Sequence, residues 1–430
     1  MRRGRPLRRI RFTLPIITAI ATRAIEMRMT AASRLTTSTR SFFFVAAAFS
    51  IIMIGATLPT SIYRFYEQRY AFPPTTITVI FACYALGALA ALLIAGNWSD
   101  QLGRRSMLLW GLVASAASGV EFLVADGLPA LMLGRVLSGI SAGIFTGTAT
   151  VAVIEQAPQK WQRQATFAAT ASNVLGLGLG PVLSGVLVDL CPWPTRLSFA
   201  VHLALVVLGM FFIIRAPETA KLPDRAHLRM QCISLPPEVR TIFVPAALAG
   251  FSGFVVLGFF TAVSPQLART LLGFKSGAAI GGTIFLFFVF SALGQAAPAH
   301  IPFRVRLAIG CGGLILGLVC MAACVQWTSP FLLFMGVILA GMGQGVSFRA
   351  SLSELASKSP LQQRAGVISS FFVVLFVALS IPVIAVGFVI QHEGIRLATL
   401  LFAWLTTAVV VVALAMLLRR EGEQPSRGIV

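Results

Sequence analysis

Charged residues are scarce in this sequence, and acidic residues are the scarcest of them. Only 11% of the 430 residues are charged, whereas 57% are hydrophobic, and the mean hydropathy is +0.87. A soluble domain carries about 25% charged residues because its surface must face water. So little charge excludes a water-soluble protein of this size and favours one that lipid surrounds.

The sequence also lacks the motifs of several enzyme classes. It contains no Walker A loop, so we expect no ATP-hydrolysing site. The six cysteines form no Cys-x-x-Cys pair and have no histidine cluster beside them, which argues against a metal site. We therefore predict no catalytic residue, no metal and no cofactor. A polytopic membrane enzyme or receptor is the less favoured alternative.

Positive charge is plentiful, since 34 Lys and Arg oppose 14 Asp and Glu and leave a net charge of +20. These basic residues lie between apolar runs, as the positive-inside rule requires, and this predicts contact with a bilayer and not with nucleic acid. The rule places both termini in the cytoplasm, also when the ten arginines of 1–41 are left out. A true start at Met27 or Met29 would leave much of that segment outside the native protein.

Apolar segments of about 20 residues, the length that crosses a bilayer, recur along the chain. We predict twelve spans, at 42–63, 76–95, 106–125, 129–153, 165–189, 196–214, 241–263, 276–297, 307–325, 330–350, 365–390 and 396–418.

The longest polar gap between these spans contains four prolines and predicts a linker between two halves. The fold class is therefore an all-α membrane protein with twelve helices in two pseudo-symmetric six-helix bundles. The predicted parts are a basic tail, the first bundle, a cytoplasmic linker, the second bundle and a C-terminal tail: 1–41, 42–215, 216–240, 241–418 and 419–430.

The two halves share several residues at a nearly constant offset, which suggests a duplicated unit. The offset is 202 or 201 residues in five pairs: Gly139 and Gly341, Gly143 and Gly345, Pro158 and Pro360, Arg163 and Arg364, and Pro181 and Pro382.

The loop between the second and third spans contains the strongest motif. Gly96, Asp100, Gly103, Arg104 and Arg105 stand in the order G-x-x-x-D-x-x-G-R-R. Gly103 permits a tight reversal, and the arginines can pair with nearby carboxylates. A basic turn that only sets topology is the alternative.

This loop resembles the loop motif of the major facilitator superfamily, and the resemblance implies that family's fold. It also implies a latch that holds the two halves together at the cytoplasmic side. In that latch Asp100 faces the start of the eleventh span, and Arg104 or Arg105 reaches Glu155 at the end of the fourth. In the second half Gly294 remains, Pro298 replaces the acid, and Arg304 and Arg306 supply charge, so we expect a one-sided latch.

Arg135 lies inside the fourth span, where a charge costs about 2.5–3.5 kcal/mol on insertion scales. Together with Gly139 it resembles the superfamily's R-x-x-x-G pattern, whose arginine is linked to proton coupling. The alternative is that Arg135 extends to the outer interface. If Arg135 faces the cavity, it favours neutral or anionic cargo.

The fifth span contains small residues at a regular spacing, which allow close helix contact, and a proline that removes a backbone hydrogen bond. Gly176, Gly180, Pro181, Ser184 and Gly185 resemble the antiporter motif G-x-x-x-G-P-x-x-G-G, with serine in place of one glycine. That motif is associated with exporters. A generic packing face is the alternative.

Polar residues inside the spans are few. Tyr84 and Gln344 are candidates for lining a cavity, and Arg349 is interpreted as a latch or topology residue. None of the acids lies at the centre of a span, and His202 is more typical of a packed, hydrogen-bonded histidine. A proton-carrying residue is therefore not evident.

We predict a secondary active transporter that exports hydrophobic small molecules or drugs in exchange for protons. Uptake of a small metabolite through the same fold is the alternative. The expected partners are the small-molecule substrate, protons and the lipid bilayer. The expected state is a monomer in a bacterial inner membrane.

Overall fold

The computed structural model describes residues 39–419, except for residues 232 and 299. Nearly all of the two predicted tails, 1–41 and 419–430, lies outside the described residues, as does Cys232. The described residues are mostly helical and contain no strand.

Eleven helices in this part of the chain are long and apolar enough to cross a membrane, by length and composition. We number the spanning helices α1 to α10 in chain order: Thr39–Ser61, Pro74–Ala95, Arg104–Val124, Leu128–Gln156, Gln162–Leu190, Leu197–Arg215, Pro237–Ala262, Gly277–Gln295, Phe303–Trp327 and Pro330–Lys358. The last helix, Arg364–Arg419, contains Gly394 at φ 82° and ψ 167°, which divides it into α11 before this residue and α12 after it. These two parts correspond to the predicted eleventh and twelfth spans.

Prolines begin several of these helices. Pro74, Pro237 and Pro330 each stand at a helix start, where the missing N–H costs nothing and the fixed φ favours the first turn. For this reason α7 starts at Pro237, before the predicted span. Helices α4 and α10 have 29 residues each and are therefore about 43 Å long, so both exceed a hydrocarbon core of about 30 Å.

Large apolar side chains point outward over much of the bundle, among them Trp110, Trp404 and Leu405, each more than half exposed. Such a surface suits lipid better than water. Helix α5 packs against α8, and α2 packs against α11. Helix α1 begins at one end of the bundle, and we call this end the terminal face. It finishes at the other end, which we call the opposite face.

Candidate functional site

The motif loop at the terminal face folds around a buried arginine. Gly103 adopts φ 95°, which turns the chain from the short helix Trp98–Leu102 into α3. Arg104, the first residue of α3, is only 9% exposed. Its guanidinium lies 2.5 Å from the Asp100 carboxylate and 3.3 Å from that of Glu155, and it donates to the Ser99 hydroxyl at 2.6 Å. The structure thus brings together three of the predicted latch residues.

Glu218, in the segment after α6, belongs to the same cluster and was not predicted. Its carboxylate accepts hydrogen bonds from the backbone N–H groups of Arg104 at 2.8 Å and Arg105 at 3.0 Å. These are the first amides of α3, where a carboxylate is favourable. A Cβ at Gly103 would lie 2.5 Å from this carboxylate, so glycine is needed for two reasons. Only the fold reveals this contact, because 114 residues separate Glu218 from Arg104.

The rest of the segment between α6 and α7 also runs along this loop. The N–H of Gln231 donates to the Leu93 carbonyl at 2.8 Å, and the Gln231 side chain occupies the space that a Cβ at Gly96 would need. The close neighbour of Gly96 is therefore this segment. The Asp100 carboxylate pairs with Arg104, so its predicted contact with the eleventh span stays a prediction.

Arg135 is buried deep in α4 and is only 1% exposed, so it does not extend to the interface. Its guanidinium donates to the carbonyl oxygen of Ala56 on α1 at 2.7 Å. It also lies 4.7 Å from the ring centroid of Tyr84 and 5.7 Å from that of Phe81, both on α2, which are cation–π distances. Its Nε has no hydrogen-bond partner among the described residues. Arg135 therefore connects α4 with α1 and α2.

The small residues of the antiporter-like motif form one contact with α1. A Cβ at Gly176 would lie 2.8 Å from the Ser50 carbonyl oxygen, and one at Gly180 would lie 2.4 Å from that of Ile54. Pro181 cannot donate to the carbonyl of Leu177, four residues earlier. The hydroxyl of Thr57 replaces that bond and donates to the Leu177 oxygen at 2.6 Å.

The other side of the motif packs against α8 near the opposite face. A Cβ at Gly185 would lie 2.3 Å from the Gly277 carbonyl oxygen, and one at Gly281 would lie 2.3 Å from that of Pro181. Such distances mean that the two backbones touch. Ser184 is fully buried, and its hydroxyl returns to the Gly180 carbonyl of its own helix at 3.1 Å. The serine that replaces a motif glycine is thus accommodated within α5.

Asp189, near the end of α5, adds a polar contact at the same place. Its carboxylate accepts from the N–H groups of Gly277 at 2.7 Å and Ala278 at 2.9 Å and from the Ser276 hydroxyl at 2.6 Å. It therefore caps the N-terminus of α8 from a different helix. The sequence places Asp189 near an outer helix end but does not identify this partner.

A central cavity lies between eight helices, four from each side of the molecule. Its empty space is about 910 Å³ and includes openings to solvent. Tyr84 and Gln344 line it, as expected, whereas Arg135 lies behind its wall. The lining residues are apolar or uncharged: Met53, Ala56, Thr57, Phe81, Tyr84, Thr146, Asn173, Val174, Leu177, Phe254, Leu257, Thr261, Phe288, Ser291, Gln295, Gln344, Phe348, Phe372, Phe376 and Leu379.

Several polar side chains of this cavity form a short network that sequence reasoning missed. The Ser291 hydroxyl donates to the Gln344 side-chain oxygen at 2.6 Å, and the Gln295 amide donates to Ser291 at 3.3 Å. Spacing along α8 could have identified the pair, because Ser291 and Gln295 are four residues apart and share a helix face. His202 lies outside the cavity lining, buried with its Nε2 2.9 Å from the Ile51 oxygen.

A second space, which we call the terminal cavity, adjoins the first because Gln295 lines both. Its empty space is about 1000 Å³ and includes open solvent. Most of its lining is polar or charged: Thr166, Phe167, Thr170, Gln295, Ala296, Ala297, Arg306, Arg349, Ser353, Glu354 and Ser357. The α5 residues face the second half across this space.

Apolar helices around a central cavity, with a buried arginine beside it, are the arrangement expected of a multi-pass membrane transporter. The family model of the Major Facilitator Superfamily matches residues 41–383, and the chain belongs to this superfamily. The loop and helix motifs described above lie within the matched region.

Two curated relatives are named as drug-resistance proteins. The chain is 31% identical to the class D tetracycline resistance protein of Salmonella ordonez over 34% of its length and 37% of that protein. It is 25% identical to multidrug resistance protein 1 of Bacillus subtilis (strain 168) over 47% of its length and 51% of that protein. The matches thus span about a third to a half of these relatives.

The fold is also that of a solved human transporter. The crystal structure of the human organic anion transporter MFSD10 (TETRAN) superposes with a TM-score of 0.63 at 17% identity. The superposition covers 88% of this chain and 99% of that one.

Proposed function

We propose that the chain is a secondary active transporter that exports hydrophobic or amphiphilic small molecules in exchange for protons. The observation that carries this proposal is the mostly apolar central cavity between α1, α2, α4 and α5 on one side and α7, α8, α10 and α11 on the other. The two predicted bundles rock about this cavity, and the segment between α6 and α7 joins them. The terminal face, with both chain ends, is cytoplasmic, and the protein is a monomer in a bacterial inner membrane.

The closed opposite face supports an alternating-access mechanism. Backbone contact between α5 and α8 closes the interface there, while the terminal cavity separates the same helices at the other end. Cargo enters the central cavity from the cytoplasm in this conformation. Rocking then exchanges the closed and open ends.

Arg135 is the proposed coupling residue. Its guanidinium donates to the carbonyl oxygen of Ala56 on α1 and lies over the ring of Tyr84 on α2. Both of these residues line the central cavity. Arg135 is buried, and a buried charge interacts strongly with its surroundings, so proton or substrate binding nearby changes these contacts. Proton exchange itself is inferred from the resemblance to the R-x-x-x-G and antiporter motifs and from the names of the drug-resistance relatives.

One observation favours the alternative of uptake. Among the residues that line the central cavity there is no carboxylate, so an evident proton carrier is missing from the export cycle. Facilitated uptake of an uncharged metabolite needs no such carrier.

Transport by inside-out vesicles separates these two functions. We expect lipophilic fluorescent dyes to accumulate when the vesicle lumen is acidified, and a protonophore to abolish the accumulation. Arg135→Ala should lose coupling, and Arg135→Lys, which keeps the charge but not the planar fork, should recover only part of it. Accumulation in right-side-out vesicles instead, driven by inward proton flow, would overturn export.

A further inference from the structure

The two halves treat corresponding arginines differently. Arg306 follows Arg104 by 202 residues, the offset that relates other pairs in the repeat. In the first half, Asp100 and Glu155 neutralise Arg104. In the second half a proline stands in place of the acid of the loop, whether it is counted from Gly294 (Pro298) or at the offset of 202 (Pro302). Ser357, 202 residues after Glu155, stands in place of the acid on the helix.

Arg306 is nevertheless as buried as its counterpart. Both arginines are 9% exposed, so each guanidinium has lost most of its hydration. The Nε of Arg306 is buried and has no hydrogen-bond partner, and no ion pair joins this arginine to a carboxylate within the described residues. A buried, uncompensated charge is costly and calls for a counterion.

The terminal cavity supplies the surroundings that an anion needs. Arg349 lines it together with Arg306, and Glu354 is the one acidic residue of the lining. Arg349 also has no ion pair within the described residues. Hydroxyl groups of Ser353 and Ser357 on α10 and of Thr166 on α5 line the same space as further donors.

We propose that the terminal cavity binds an oxyanion, a carboxylate, sulfate or phosphate group, between Arg306 and Arg349. The planar guanidinium fork matches the two oxygens of such a group, and Arg306 has no carboxylate partner of its own within the described residues. The bound oxyanion takes the part that the Glu155 carboxylate has in the first half, because Ser357 at the matching position has no carboxylate. This site does not depend on proton coupling or on the direction of transport.

The oxyanion can belong to a soluble molecule or to an anionic lipid headgroup, since both present the same oxygens. Gln295 lines both cavities, so a soluble amphiphile bound here would have its apolar part next to the central cavity. A lipid headgroup would instead reach Arg306 from the membrane surface.

Thermal unfolding of the purified full-length protein in a neutral detergent tests the site, with inorganic phosphate as the probe at constant ionic strength. We expect phosphate to raise the unfolding midpoint of the wild type in a saturable way. Arg306→Gln and Arg349→Gln should each weaken the apparent affinity by about tenfold or more, because each removes a charged donor. Lys358→Gln, which removes an exposed charge from the end of α10 outside the cavity, should leave the affinity within about twofold.

Ser357→Glu is the decisive variant, because it restores the acid of the first half. It should fold at least as well as the wild type and lose the response to phosphate. The same measurement in nanodiscs distinguishes the sources: if phosphatidylglycerol raises the midpoint above that in phosphatidylcholine and phosphate then adds nothing, the anion is a headgroup. If phosphate raises the midpoint equally in the two lipids, the bound anion belongs to a soluble molecule. The proposal would be overturned if phosphate did not change the unfolding midpoint of the wild type. It would also be overturned if Arg306→Gln and Ser357→Glu both responded to phosphate as the wild type does.

Discussion

Helices α5 and α8 lie against each other at one end and are separated by a cavity at the other. At the opposite face the backbones touch at Gly185 and Gly277, and no side chain intervenes. At the terminal face Thr166 and Thr170 of α5 face the end of α8 across open space. Close packing there needs glycine, whereas separation tolerates larger side chains.

The two faces also differ in the chemistry that holds them. The opposite face uses backbone contact and a helix cap, while the terminal face uses the ion pairs of Arg104 within one half. Dispersion contacts between backbones are short-ranged and insensitive to salt, whereas half-exposed ion pairs are screened. The opposite face is therefore closed by shape, whereas the ion pairs of the terminal face stabilise one half alone.

Gly281→Ala should disturb the opposite face most strongly. The new methyl group would lie 2.3 Å from the Pro181 carbonyl oxygen, and neither backbone can move without separating the helices. Overpacking costs about 1–3 kcal/mol, which lowers the population of the closed opposite face by about 5- to 150-fold. Spin labels at exposed positions 126 and 275, after replacement of the six native cysteines, should report a longer distance across this face.

Gly282→Ala is the matched control, because it is the neighbouring residue and a Cβ there meets nothing within 4 Å. Its label distances and transport rate should equal those of the parent. If both alanine variants behave alike, backbone contact does not close the opposite face.

Arg104→Ala should have a smaller effect, confined to the terminal face. It leaves Glu155 and Asp100 without their cation and removes the donor to Ser99. Because the two carboxylates are partly exposed, at 33% and 62%, we expect solvent to compensate in part and the loss in unfolding free energy to be about 2 kcal/mol. Thermal unfolding at low and high salt measures this loss.

Arg105→Ala provides the control for charge, since Arg105 contacts Glu218 through its backbone N–H. It should change the free energy of unfolding by less than about 0.5 kcal/mol. Equal losses in the two variants would mean that the loop contributes only positive charge and not a specific ion pair.

Helix positions were predictable because hydropathy alone identifies apolar segments. Their ends were less so. Helix α10 reaches Lys358 although the predicted span stops at 350, since its polar end continues beyond the membrane, where hydropathy gives no signal. The linker was predicted to reach residue 240, but Pro237 begins α7. A proline at a helix start is ambiguous in sequence because it also ends helices.

Site residues were predictable where a local motif contains them and not where the fold pairs distant segments. The sequence identifies Arg104 and Glu155, and the structure places them 3.3 Å apart. The contacts of Glu218 with α3 and of Asp189 with α8 join residues 114 and 88 apart, which no spacing rule connects. The burial of Arg135 was left open for a physical reason: a long side chain can extend toward water, and only packing decides.

Asp189→Asn should have the smallest effect, because it changes one polar contact of the opposite face and keeps the backbone contact. The amide retains one acceptor oxygen for the N–H groups of Gly277 and Ala278 but loses the negative charge that favours a helix N-terminus. The contact is exposed, so we expect a loss of about 0.5–1 kcal/mol, or about a two- to fivefold lower population of the closed opposite face. The label distance between positions 126 and 275 should lengthen slightly at low salt and less at high salt.

The control is Glu238→Gln, which changes an exposed acid at the start of α7 on the terminal face and should leave this label distance unchanged. An effect as large as that of Gly281→Ala would mean that charge, and not backbone contact, closes this face.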